Sequence, residues 1–479
     1  MEDVEAVLDA VVDRLSSYLE SASSPGDPIT EAATYEQIRR TKDVKLPRVG
    51  HGIEALLEDV DTVLRSSVRT HAPGFMNPLW GGISLPSLVG EILTAATNTS
   101  MATYELSPFA TLVERVVLER MSEFLGFGVG TGVLTTGGSN GNLMGLICAR
   151  AHASPLSLVE GSDGRQLTAF ISEEAHYSCA TAMTIMGIAN SNLIKVRTDG
   201  QGRMRPDALE EAIEASRRQG EQPFCVVATS GTTVLGAFDP LRAIAEVANR
   251  AGIWMHVDAA WGGAALLSTR TRSLMDGIEN ADSVCWDAHK MMSIPLICSA
   301  FILKDERLLR QIINNGRDAH YLLLDEASGL DLGRLSLACG RRNDALKLWM
   351  EWRAIGDVGW SDRVDGYMAL ADHLQQLVEA STSLEMAAER SWTNVCFRMV
   401  ADRPEEADAR TEEVRRRLLA EGAWMVSRSL VDGRPVLRSV ITNPAVSRQS
   451  LEAFISEIER IHHDVIRGIP PLPIGTSET

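Results

Sequence analysis

The residues with the most chemistry in them fall in two short runs, Trp254-Met-His-Val-Asp258-Ala-Ala-Trp-Gly-Gly263 and Trp286-Asp-Ala-His289-Lys290. Each places ionisable groups directly after an apolar stretch. If those stretches are parallel strands, their ends open onto the cleft where such sheets bind ligands. An acid at one strand end and a lysine at another suit pyridoxal phosphate. Lys290 would form a Schiff base with the cofactor aldehyde, and Asp258 would keep the pyridine nitrogen protonated. A buried Asp–Lys ion pair with no cofactor leaves the same signature, provided both partners are satisfied.

Thr135-Thr-Gly-Gly-Ser-Asn-Gly-Asn142 lies between an apolar run and a helical pattern. Consecutive glycines let backbone amides approach an anion, and the following helix adds free N–H groups and the positive end of its dipole. Gly138 and Ser139 are therefore candidate phosphate ligands, although an ordinary strand-to-helix turn reads the same way. Gly137-Gly-Ser-Asn-Gly141 also satisfies the G-x-S-x-G nucleophile elbow, and Ser139, Asp258 and His289 follow the order of a serine-hydrolase triad. That alternative leaves Lys290 without a role and lacks a preceding HGGG-type oxyanion loop. His176, in Glu174-Ala-His176-Tyr-Ser178, could lie flat on a cofactor ring or pass protons. Arg341 and Arg342 open a helical pattern after Cys339-Gly, where a guanidinium could hold a carboxylate or simply stay solvated.

The elements that must position these groups are visible in the pattern. From about residue 130, apolar β-type runs at 132–136, 167–171, 193–196, 224–228, 253–257, 283–286 and 300–303 alternate with helical stretches. That pattern predicts a mainly parallel sheet covered on both faces. We expect an N-terminal helical segment (1–95), a large cofactor-binding α/β domain (96–345) and a smaller C-terminal α+β domain (346–479). Lys plus Arg number 46 against 64 for Asp plus Glu, a formal charge of −18. So acidic a chain disfavours nucleic acid and anionic membrane as partners. No apolar stretch reaches the ~20 residues of a membrane span. Seven scattered cysteines with no CxxC suggest reduced thiols in a cytoplasmic protein, with no disulfide framework and no metal site.

Taken together and in order, these segments resemble the group II pyridoxal-phosphate amino-acid decarboxylases, a family that includes glutamate, cysteine sulfinate, aromatic amino-acid and diaminobutyrate decarboxylases. The similarity runs from about Gly74 to Pro444. It includes Asn98-Thr-Ser-Met-Ala-Thr-Tyr-Glu-Leu-Ser-Pro108, Ala175-His-Tyr-Ser178, Ser230-Gly-Thr-Thr233, Gly340-Arg-Arg342 and Asn394-Val-Cys-Phe397 besides the runs above. The resemblance implies an aspartate-aminotransferase-type (fold type I) α/β fold and a homodimer with active sites at the interface. It implies decarboxylation of an L-α-amino acid, with an acidic or small polar side chain favoured, to the amine and CO₂.

By the same resemblance, Lys290 carries the cofactor, Asp258 meets its ring nitrogen and His176 stacks over the ring, with Ala260 on the other face. Gly138, Ser139 and His289 hold the phosphate, and Thr233 lies against the cofactor. Arg341, Thr111 and Asn77 face the substrate. Three departures stand out. Asp287 replaces an Asn common in relatives, an awkward acid unless it points away or pairs with a base. Pro78 stands where glutamate and cysteine sulfinate decarboxylases have a Gln. The loop from Leu322 to Ala338 lacks the tyrosine that commonly returns the proton to Cα, leaving His176 or Tyr321 as donors. The same gap leaves open a decarboxylation-dependent oxidative deaminase that releases aldehyde, ammonia and peroxide.

Overall fold

The computed structural model describes residues 4–21, 23–25, 27–30, 34–128, 130–161, 164–314 and 329–470. Among them the strands are, in chain order, β1 (Phe75–Met76), β2 (Thr131–Thr135), β3 (Leu167–Ser172), β4 (Leu193–Val196), β5 (Gln222–Thr229), β6 (Trp254–Asp258), β7 (Ser283–Asp287), β8 (Ser299–Leu303), β9 (Leu384–Met386), β10 (Asn394–Met399), β11 (Met425–Val431) and β12 (Arg434–Val440). The chain divides into two units. One is Ile83–Ala369 with Ala388–Asn394; the other joins Met1–Gly82, Leu370–Ala387 and Val395–Thr479.

All seven apolar runs become strands of one sheet, ordered β2-β8-β7-β6-β5-β3-β4, with ends within one or two residues of those expected. Pairings from β7 through β6, β5 and β3 to β4 are parallel, and β8 runs antiparallel to both its neighbours. β6, β7 and β8 are buried along their whole length. That is why they read as unbroken apolar runs instead of alternating ones.

The helix Gly138–Ala153 lies against β6 and β7, and three glycines let it come close. A Cβ on Gly138 would stand 2.7 Å from Asp287 Oδ2, one on Gly141 2.6 Å from Cys285 Sγ, and one on Gly145 2.5 Å from His256 Nδ1. The spacing i, i+3, i+7 puts all three on one helical face. This face meets the side of the sheet that carries the polar residues of the strand ends.

In the second unit a five-stranded sheet has the order β1-β11-β12-β10-β9. The helices Pro404–Glu421 and Arg448–Ile466 pack together beside it. β1 pairs in parallel with β11, Phe75 opposite Met425. This pairing ties the N-terminal segment to the C-terminal chain, so it is not a separate helical segment. The divisions therefore fall at 82/83 and 369/370, where the sequence suggested 95/96 and 345/346. Pattern reading assigns contiguous stretches to domains, and a two-residue strand leaves no periodic trace.

Alanine is ordinarily favoured over glycine in a helix by about 1 kcal/mol. At Gly145 the buried imidazole of His256 reverses that preference, and Gly145→Ala should destabilise the protein by roughly 1–3 kcal/mol through overpacking. Gly366, also helical, has nothing within 4 Å of an added Cβ, so Gly366→Ala should be neutral or stabilising. Urea unfolding of both variants checks the contrast.

Candidate active site

Asp258 is the last residue of β6 and sits opposite Cys285 of β7. Because side chains alternate along a strand, His256 and Asp258 share a face with Ser283, Cys285 and Asp287. Asp258 is 6% exposed and accepts hydrogen bonds from Asn142 Nδ2 at 2.8 Å and the Ala260 backbone N–H at 3.1 Å. Asp287, at the end of β7, is 2% exposed. Its carboxylate lies 3.2 Å from Lys290 Nζ and 3.6 Å from His289 Nε2, and accepts from Ser299 Oγ at 2.5 Å.

Burial alone would push the Asp287 carboxyl up, yet Lys290, His289 and Ser299 hold it below the ordinary carboxylate range. Burial likewise works against charge on Lys290, and Asp287 and Asp258 outweigh it, so the ammonium is held above its ordinary range. The acid that looked awkward in the sequence is thus paired with two bases.

Gly138 begins the helix after β2, its added Cβ reaching both Asp287 and, at 3.2 Å, the Ala260 methyl. Ser139 is exposed beside it. His176 follows β3, half-buried, with its ring centroid 4.2 Å from that of Tyr177. Burial lowers its pKa against the pull of Asp258 and Asp287, which keeps the imidazole neutral at pH 7. The carbonyl of Thr233 accepts from Asn394 Nδ2 at 3.1 Å, and Asn394 Oδ1 accepts from Trp261 Nε1 at 2.8 Å. Asn394 therefore ties the Thr233 turn to the segment following Asp258.

Three substrate expectations fare differently. Arg341 is 6% exposed and donates through Nη1 to Glu114, fully buried, at 2.6 Å. Its charge is already balanced, so what it can still offer is the donor nitrogens Nε and Nη2, which have no partner among the described residues. Thr111, one helical turn before Glu114, has a buried hydroxyl that bonds to nothing among the described residues. Asn77 belongs to the other unit. There Ser427 donates to its carbonyl and, at 2.6 Å, to Oδ1, while accepting from Arg438 Nη2 at 2.9 Å. Tyr321 and the loop as far as Ser328 lie outside the described residues.

The hydrolase triad does not assemble. His289 Nδ1 bonds with Cys298 and its Nε2 faces Asp287, whereas Asp258 is engaged by Asn142 and Ala260.

Residues 36–400 match the model of the pyridoxal-dependent decarboxylase conserved domain. The chain belongs to the pyridoxal-dependent decarboxylase family. It is 36% identical over 460 residues to the acidic amino acid decarboxylase of Bos taurus, covering 93% of this chain and 88% of that one. It is 35% identical over 478 residues to human cysteine sulfinic acid decarboxylase, covering 96% of both chains. The crystal structure of mouse CSAD superposes with a TM-score of 0.91 at 34% identity, over 96% of this chain and 98% of that one.

The protein is a pyridoxal-phosphate-dependent amino-acid decarboxylase with an α/β fold of type I. Its donor set fits the cofactor: an amine for the aldehyde, an acid for the ring nitrogen and a glycine-lined helix start for the phosphate. At the end of β5, where Thr229 lies opposite Asp258, the buried hydroxyls of Thr229 and Ser230 have no hydrogen-bond partner among the described residues. Such orphans mark a place built for a polar guest.

His256, Asn142, Ser283 and Glu114 were not singled out from the sequence. His256 is fully buried between Ser283 Oγ, 2.8 Å from Nδ1, and Asn142 Oδ1, 3.0 Å from Nε2. Burial pushes its pKa down to about 4, against Asp258 and Ser283, which favour the charged form. An unfolded histidine titrates near 6.5. Between those values the unfolded chain binds the extra proton, so the stability tied to neutral His256 is complete above pH 6.5 and is lost on acidification toward pH 4. From pH 7 to pH 5 the loss is about 2 kcal/mol. His256→Gln should abolish that component, narrowing the stability gap to wild type by this amount at pH 5. Asp239, whose carboxyl burial raises to about 7, titrates in both proteins and cancels. Urea unfolding free energies at the two pH values measure the difference.

Proposed function

We propose that this enzyme decarboxylates an acidic or small polar L-α-amino acid, with Lys290 and Asp258 as its central catalytic residues. The observation that carries this reading is the convergence of Asp258, Asp287, His289 and Lys290 at adjacent strand ends beside Gly138. The bound cofactor supplies a protonated ring that takes up the electron pair left when the Cα–carboxylate bond breaks. Lys290 provides the amine that holds the aldehyde. Asp258 keeps a proton at the ring nitrogen, while His176 covers one face of the ring and the small Ala260 side chain leaves room on the other. Gly138, Ser139 and His289 bind the phosphate, and Thr233 lines the ring. Arg341, neutralised by Glu114, orients the departing carboxylate through its remaining N–H groups, next to Thr111.

The substrate preference draws support from relatives named for acidic amino acids and cysteine sulfinate. Pro78 removes a donor and argues against plain glutamate. A second copy of the chain completes our reading. Leu85, Val89, Ile92 and Leu93 on the helix Leu85–Thr97 are exposed at helical spacing, as are Phe109, Leu112 and Val116 on Pro108–Leu125. Two apolar stripes left to solvent suit a homodimer. All seven cysteines are free thiols, consistent with a reducing, cytoplasmic setting. Among the described residues no helix is long and apolar enough to cross a membrane.

A panel of L-glutamate, L-aspartate, L-cysteine sulfinate, L-2,4-diaminobutyrate, L-dopa and L-tryptophan tests the proposal, with CO₂, amine and peroxide measured in air and without oxygen. The expected result is one amine per CO₂, no peroxide, and kcat/KM at least ~100-fold higher for an acidic or small polar substrate than for the aromatic ones. Turnover of dopa or tryptophan alone would overturn the substrate class. Oxygen-dependent peroxide matching the CO₂ would make the enzyme an oxidative deaminase instead.

A further inference from the structure

We propose that Asn142 is a positioning residue of this reaction, holding Asp258 in its working orientation, and that His256 in its Nε2–H form prevents the Asn142 amide from turning over. The inference rests on the reading that Asp258 meets the cofactor's ring nitrogen. It concerns residues for which the family resemblance supplied no role.

The argument follows hydrogen-bond direction. An indole N–H can only donate, and Trp254 Nε1 lies 2.9 Å from Ser283 Oγ. Ser283 thereby accepts one bond and keeps its own proton to give. The imidazole Nδ1 of His256, 2.8 Å away, receives it when Nε2 carries the ring proton, as it must to face the Asn142 oxygen. A neutral imidazole that accepts at Nδ1 carries its proton on Nε2, and Nε2 is 3.0 Å from Asn142 Oδ1. That contact fixes the amide: Oδ1 accepts from His256, and Nδ2 donates to Asp258 Oδ2 at 2.8 Å and to Ser178 Oγ at 2.9 Å. The flipped amide would set Oδ1 against the Asp258 carboxylate, two acceptors at hydrogen-bonding distance, and Nδ2 against the Nε2–H. Both contacts are repulsive, so one arrangement survives.

Packing reinforces this direction. Trp254, Ser283, His256, Asn142 and Asp258 are all buried. Gly145 leaves the space that the imidazole fills, one helical turn from Gly141 on the face that also carries Asn142. The other oxygen of Asp258, Oδ1, is held separately by the Ala260 N–H at 3.1 Å. With both oxygens tethered, the carboxylate would meet a protonated ring nitrogen without reorganising, the condition under which a fixed charge is most effective. An unheld Asp258 could rotate away, and the ring nitrogen would lose its proton-holding partner without any change in cofactor contacts elsewhere.

Two measurements test the proposal. In the wild-type protein without cofactor, NMR of ¹⁵N-labelled histidine at pH 7 should find His256 neutral with its proton on Nε2. An Nδ1–H tautomer or an imidazolium would overturn the stated direction whatever the variants do. In the protein loaded with pyridoxal phosphate labelled with ¹⁵N in the ring, the wild type should show a protonated ring nitrogen. Asn142→Leu, of similar shape but without the amide, should shift that signal toward the neutral pyridine and lower kcat on the order of tenfold or more, with KM little changed. Asn142→Leu with an unchanged ring-nitrogen signal would overturn the inference, provided Asp258→Asn loses the protonated signal. If Asp258→Asn keeps that signal too, the reading of Asp258 itself fails.

Discussion

Two carboxylates buried on neighbouring strand ends constrain everything around them. An ionised acid taken out of water is tolerated only when its lone pairs are met by donors or cations. Asp287 is met by Lys290, His289 and Ser299. Asp258 is met by a side-chain amide and a backbone N–H. The difference matters chemically. Asp287 sits in an ion pair that holds the lysine close, whereas the hydrogen bonds Asp258 accepts among the described residues come from neutral donors, Asn142 and the Ala260 N–H. The sheet supplies the framework, since parallel pairing of β6 with β7 puts both side chains on the same face.

The helix Gly138–Ala153 then has to approach that face closely enough to deliver Asn142. Its glycines permit the approach at three successive contacts, with Asp287, Cys285 and His256. Gly138 thus answers a demand for close packing against an acid, beside the phosphate-binding role proposed for it. A glycine-rich turn read from sequence suggests only the second. The first emerges when the opposing strand residues are known.

The sheet was legible because strands buried on both faces read as unbroken apolar runs, and Asp258 and Lys290 stood out as ionisable groups right after such runs. The antiparallel direction of β8 and the pairing of β1 with β11 were not, since direction follows from connections and a two-residue strand such as β1 carries no periodicity. Asn142 and its partners were hidden by distance along the chain, 114 residues to His256 and 116 to Asp258. Glu114 and Arg341 are separated by 227. Arg341 therefore looked like a waiting cation, and the acid that balances it could be found only in the fold. Asp287 illustrates the converse case, a residue flagged as anomalous in the sequence whose partners the fold supplies.

The central claim is that Lys290, poised by Asp287 at the end of β7, is the lysine that carries the cofactor. Borohydride reduction of the cofactor-loaded enzyme, followed by proteolysis and mass spectrometry, tests it most directly by locating the phosphopyridoxyl group. The account predicts a single modified lysine, Lys290. Stable modification at Lys195, Lys304 or Lys347 with Lys290 unmodified would contradict it.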